Sequence, residues 1–119
     1  MEYYATMMIG VRITDHQYPD WMGLPKDEDG DFDFHAFLRA EGEREHPMEW
    51  TEVDNSNECP YGEVIGFSVA GTGCEFESIE QVMDYEPASM IRNILDAERA
   101  WRDRYPGHQP GLFSFVYRC

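Results

Sequence analysis

Five carboxylates fall within seven residues of the segment DEDGDFD: Asp27, Glu28, Asp29, Asp31 and Asp33. A run of this kind could capture a cation, do acid–base work, or attract a basic macromolecule. A calcium loop of the EF-hand type needs oxygen ligands at positions 1, 3 and 5, glycine at 6 and a bidentate glutamate at 12. With Gly30 at position 6, position 1 is Pro25 and position 12 is Ala36, so the pattern fails at both ends. Asp27, Asp29, Asp31 and Asp33 alternate, and in an extended segment they would share one side, which leaves room only for weak cation capture. His16, His35, His46 and His108 are scattered, and no cysteine stands at ligand spacing beside them, so no metal site and no cofactor are expected. His35, on a helical pattern among phenylalanines, reads as a half-buried packing residue.

Nucleophilic chemistry finds no better support. Ser68 in GFSVA departs from G-x-S-x-G at Ala70 and lies in a strand pattern, where the sharp turn of a nucleophile elbow cannot form. The GTG at residues 71–73 lacks the lysine of a phosphate loop and reads as a turn after a strand; the chain's one lysine is Lys26. Paired carboxylates for glycoside chemistry need an aromatic-walled cleft and one raised pKa. With 24 acidic residues some pair always looks suitable, so pairing carries no information. The expectation is a protein without catalytic residues.

The charge itself says more. The net charge is −15 over 119 residues, and it is unevenly placed. Residues 1–86 carry 21 acidic and 4 basic side chains, and residues 87–119 carry 3 and 5. Within residues 27–63 there are 13 carboxylates against 2 arginines, interleaved with Phe32, Phe34, Phe37, Met48 and Trp50. Such a field repels nucleic acid and anionic membranes and attracts basic surfaces. B-DNA carries about one charge per 1.7 Å of axis. Five carboxylates over residues 27–33, if extended at about 3.3 Å per residue, would give about one per 4–5 Å.

The elements that must hold these residues are legible from periodicity. Residues 3–13 alternate as a strand, with Tyr3, Ala5, Met7, Ile9, Val11 and Ile13 on one face. A long loop follows. Phe34, Phe37 and Leu38 mark a short helix with Asp31 or Asp33 at its N-terminus and Gly42 at its end. PMEWTEV predicts a short strand with Met48 and Trp50 inward, and EVIGFSVAG a strand with Ile65, Phe67 and Val69 on one face. Ser78 and Gln81 have capping-box spacing. Pro87 opens a long helix whose stripe is Met90, Ile91, Ile94, Leu95, Ala97, Trp101 and Tyr105. Arg92, Arg99, Arg102 and Arg104 on that helix are expected to pair with Asp96, Glu98 and Asp103. GLFSFVYRC predicts a last strand with Phe113, Phe115 and Tyr117 on one face.

Together these predict a small single α+β domain over residues 1–119: a mostly antiparallel sheet of three to five strands, one long helix in the C-terminal half, and one or two short helices. The hydrophobic fraction of 42% and the 17 aromatics argue for a packed core despite the charge. Three cysteines without a CxxC pair suit a reducing compartment, although Cys59 and Cys74 could pair. MEYYATMMIGVRIT has no basic leader and too short an apolar run to cross a bilayer, so the cytoplasm of a bacterial host is the expected setting.

The functional expectation is a non-enzymatic acidic inhibitor that occupies a basic, nucleic-acid-binding surface of a nuclease or defence complex, of the phage anti-CRISPR or anti-restriction type. The partner is a basic protein or ribonucleoprotein, engaged by competition with phosphate or by locking a conformation. The expected contact residues are Asp27, Glu28, Asp29, Asp31, Asp33, Glu41, Glu43, Glu45, Glu49 and Glu52. The alternatives are an immunity protein for a nuclease toxin, a cation-responsive module, and a small enzyme. The enzyme would show a concave pocket holding a carboxylate or histidine of shifted pKa.

Overall fold

The computed structural model describes residues 3–14, 16–53, 62–76 and 85–118. The side chains of Cys59, Cys74 and Cys119 lie outside what is described, as does the expected cap at Ser78 and Gln81. Four antiparallel strands form one sheet in the order β2-β3-β1-β4: β1 is Tyr3–Ile13, β2 Glu49–Val53, β3 Gly62–Phe76 and β4 Gly111–Arg118. Two helices complete the α+β domain, α1 at Phe34–Gly42 and α2 at Pro87–Arg104. The first and last strands lie side by side, with Met8 opposite Phe113 and Ile9 opposite Leu112.

Helix α2 packs across β3 and β1. The core between them gathers Ile9, Ile13, Ile65, Phe67, Val69, Ala97, Trp101 and Tyr105, joined by Phe37 of α1 and by Met22 and Met48 from the connections. Burying a side chain such as Phe37 contributes about 1.5–3 kcal/mol. At the end of α2, the Trp101 indole Nε1 donates to the His108 carbonyl at 2.7 Å and the Tyr105 hydroxyl to the Met22 carbonyl at 3.0 Å. Trp21 stacks on His108 with ring centroids 3.9 Å apart. These contacts pin the 3₁₀ turn Asp20–Met22, and so the loop that follows β1, onto the end of α2.

Backbones approach closely at the centre of the sheet, where Gly10 faces Gly66. A Cβ on Gly10 would stand 2.0 Å from the Ile65 carbonyl oxygen, and one on Gly66 2.1 Å from that of Ile9. Only glycine fits either place.

Several expectations need correction. The GTG of residues 71–73 continues β3 instead of turning out of it. Two register shifts relative to β1, between Ala5 and Met7 and between Met7 and Met8, accommodate it. Helix α1 turns Phe37 and Glu41 inward and leaves Leu38 half exposed, because the four-residue step from 37 to 41 follows the helical repeat. His35 lies on the exposed side. The α2 stripe divides: Ala97, Trp101 and Tyr105 are buried, while Ile91 and Leu95 are 60% and 55% exposed. Arg102 pairs with Glu98 one turn earlier, at 2.6 Å, as expected, but Arg104 crosses to α1. Among the described residues no helix is long and apolar enough to cross a membrane.

Candidate functional site

The loop after β1 and the segment before α1 enclose a cleft of about 970 Å³. Its construction starts at His16, whose φ of 56° places it in the left-handed region, where histidine is tolerated better than branched residues. Gln17 closes the turn by donating its N–H to the Thr14 carbonyl at 3.1 Å. Tyr18 then lies against Phe32 with ring centroids 4.5 Å apart, and Trp50 of β2 lines the same cleft.

Glu63, at the start of β3, is 1% exposed among these groups. Its Oε2 accepts from the Tyr18 hydroxyl and from the Trp50 indole Nε1 at 3.1 Å, and its Oε1 lies 3.1 Å from His16 Nδ1. Burial raises its pKa above the ordinary 4.5; the His16 charge and hydrogen bond act the other way and do not overcome it. Glu52 of β2 stands directly across from Glu63 in the antiparallel register and also lines the cleft, as do Asp20 and Asp31. Lys26 shares the wall, 3.4 Å from Asp20.

The acidic segment is a tight turn, not an extended run. Lys26 bridges to Phe32, and the Asp27 N–H donates to the Asp31 carbonyl at 2.8 Å. Gly30, at φ 85°, makes the reversal possible, since side chains rarely adopt that conformation. The Asp27 carboxylate accepts the N–H groups of Asp29 at 2.9 Å and Asp31 at 3.0 Å. This is the aspartate-capped turn that short acidic side chains favour. Alternation of Asp27, Asp29, Asp31 and Asp33 along one side is therefore not realised, and the linear comparison with phosphate spacing loses its premise. Among the described residues no group of three or more His, Cys, Asp or Glu is placed to hold a metal ion.

The ten expected contact residues divide by environment. Glu28, Asp29, Asp31, Glu43, Glu45 and Glu52 are exposed, and so is Asp27, although its carboxylate is occupied within the turn. Asp33 is partly buried and caps α1 through the Ala36 N–H at 3.0 Å. Glu49 is partly buried, which raises its pKa. Glu41 leaves the surface set altogether: it is 4% exposed, ion-paired with Arg104 and, at 3.4 Å, with Arg44, and it accepts the Met48 N–H at 2.7 Å. Burial would raise its pKa, but the Arg104 and Met48 hydrogen bonds and the two arginine charges together hold it below the ordinary value.

Sequence reasoning missed His16, Tyr18 and Glu63. For Glu63 a signal existed: the alternation Ile65, Phe67, Val69 carried back two residues places it on the same face. Nothing comparable marked His16 or Tyr18, which lie 47 and 45 residues from Glu63 in an aperiodic loop. No family model, curated protein or solved structure matches the chain.

Proposed function

We propose that this is an acidic binding protein that docks on a basic, nucleic-acid-handling surface of a partner protein or ribonucleoprotein and blocks it. The observation that carries the reading is the ordered turn at residues 27–31, which holds Glu28, Asp29 and Asp31 outward in a fixed shape beside the aromatic cleft. Preorganised charges cost less ordering on association than charges on a mobile tail. The repulsion they impose on the fold is offset when a basic surface covers them. Charge density and position, not a copy of duplex geometry, would select the partner.

The test is affinity capture from bacterial lysate at low and high salt, with wild type and a Glu28→Gln/Asp29→Asn/Glu43→Gln/Glu45→Gln variant. All four positions are exposed, so the fold is left intact. A nucleic-acid-handling partner retained by wild type at low salt, and lost by the variant, supports the reading. Equal capture by both removes the acidic surface from the mechanism.

One observation favours a second reading, a small acid–base enzyme. Glu63 has the raised pKa and concave aromatic surroundings that a general acid needs, although three donors already hold it. Turnover of an aryl-glycoside panel that disappears in Glu63→Gln would establish it; no turnover across the panel counts against the glycoside form.

A further inference from the structure

We propose that the Glu63 cleft is a receptor for an arginine side chain on a short exposed peptide segment. Who presents that arginine rests on the docking reading above; the chemistry of the pocket does not. The strongest indication is the register. Glu52 and Glu63 are direct cross-strand partners between β2 and β3, and both line the cleft. Like charges placed directly opposite across a sheet destabilise it, and here one of the two is fully buried. Asp20 and Asp31 add negative charge around the same opening, while Lys26 and His16 on its wall are already engaged with Asp20 and Glu63. A cation seated in the cleft would complement these carboxylates.

The walls indicate which cation. Tyr18, Phe32 and Trp50 line the cleft, and aromatic rings attract a cation by their quadrupole and stack on a planar one. A guanidinium is planar, always charged and weakly hydrated, with several donors in a rigid fork. An ammonium is compact and gives up its water reluctantly. An anion would meet four carboxylates, and a neutral apolar group would leave them without compensation. A divalent metal would find no adequate ligand group among the described residues. The floor is also fixed in advance: Tyr18, Trp50 and His16 hold the Glu63 carboxylate in one orientation, so binding need not freeze it. A volume of about 970 Å³ exceeds one side chain and suits an arginine with its flanking backbone.

The experiment uses the full chain labelled with 5-fluorotryptophan. It gives three fluorine resonances, from Trp21, Trp50 and Trp101, assigned with Trp50→Phe. The probe is the capped tripeptide Gly-Arg-Gly; its citrulline and lysine counterparts are controls. A saturable shift of the Trp50 resonance is expected with the arginine peptide, with Trp101 unmoved. Citrulline should produce no shift, lysine a weaker one, and Glu52→Gln should weaken the arginine peptide several-fold. The four-residue surface variant above should bind the peptide like wild type. No saturable shift, or an equal shift with citrulline, overturns the pocket; an equal shift with lysine overturns its assignment to guanidinium. Peptide binding without partner capture would leave the pocket standing and remove the docking reading. Capture that depends on the surface carboxylates, without peptide binding, would do the reverse.

Discussion

Replacing Arg104 with methionine would strand a buried carboxylate, and the size of the effect follows from its surroundings. Arg104 Nη1 donates to Glu41 Oε1 at 3.0 Å and Nη2 to Oε2, joining the last turn of α2 to the last turn of α1. The Met48 N–H, just before β2, donates to the same carboxylate at 2.7 Å, so three elements meet on one side chain. Removing one partner of a buried pair costs about 3–5 kcal/mol. Here Met48 and Arg44 remain, and the Arg104 side chain is itself 16% exposed, so the low end, about 3 kcal/mol, applies. For a chain of 119 residues that corresponds to a fall in Tm of about 10 °C. The double variant Glu41→Gln/Arg104→Met removes the stranded charge yet keeps an acceptor for Met48, and should recover about 2 kcal/mol of the loss.

Urea unfolding followed by circular dichroism at neutral pH measures both variants. The pH dependence supplies an independent sign. Because the folded Glu41 pKa lies below its ordinary 4.5, its contribution is present above that value and is lost as pH falls through the folded pKa. The gap between wild type and Arg104→Met should therefore narrow below about pH 4.5. A loss under about 1 kcal/mol at neutral pH, or a double variant no more stable than the single one, would refute the pair as a structural clamp. It would also return Glu41 to the candidate contact set.

Three other outcomes are expected. Glu63 has the opposite sign to Glu41: its raised pKa gives stability that is full below 4.5 and lost as pH rises through the folded value, so Glu63→Gln should flatten the decline in Tm from acid to neutral pH. An unchanged profile would count against a raised pKa. Gly66→Ala forces a Cβ to within 2.1 Å of the Ile9 carbonyl and should destabilise by about 3 kcal/mol in the same urea assay, whereas an alanine at exposed Gly42 meets nothing within 4 Å and should be nearly silent. Raising salt from 0.05 to about 1 M should raise Tm by several degrees, because the Debye length falls to about 3 Å and repulsion within the net charge of −15 is screened. A flat response would mean that the carboxylates do not strain the fold.

The frame of this domain was legible where a side-chain period ran uninterrupted. The strand at Tyr3–Ile13 forms, Asp33, one of the two aspartates read as a cap, caps α1, and Pro87 does open α2. The single buried face expected for β1 does not hold, since Thr6 and Met8 are buried, Met7 and Val11 only half-buried, and the register slips between Ala5 and Met8. The tail of β3 did not announce itself, since GTGCEF has too little apolar alternation and is held by pairing with the first residues of β1. The inward turn of Glu41 was invisible, and the inward face that alternation offered Glu63 was passed over, for another reason. A one-dimensional reading assigns every carboxylate in an acidic tract to solvent, and their partners, Arg104 and Tyr18, lie 63 and 45 residues away. Burial of an ion is settled by long-range pairing, which periodicity does not encode.

That distinction changes how the acidic tract should be understood. Asp27, Asp33, Glu41 and Glu63 shape the protein: they set the turn, cap α1, clamp it to α2 and anchor the cleft. Glu28, Asp29, Glu43 and Glu45 are exposed, and no internal hydrogen bond or ion pair among the described residues uses their carboxylates. Under the proposed docking, a partner approaching from solvent would meet that second group first, at distances where the field acts collectively and salt weakens it. Discrimination requires closer contact, at a place where charge is fixed and water is partly excluded. Asp31 and Glu52 belong to both settings, exposed yet lining the cleft. On the proposed reading they would connect a surface that steers with a concavity that holds one side chain; in the fold itself, the tract that looks uniform in sequence divides into carboxylates that shape the protein and carboxylates left to solvent.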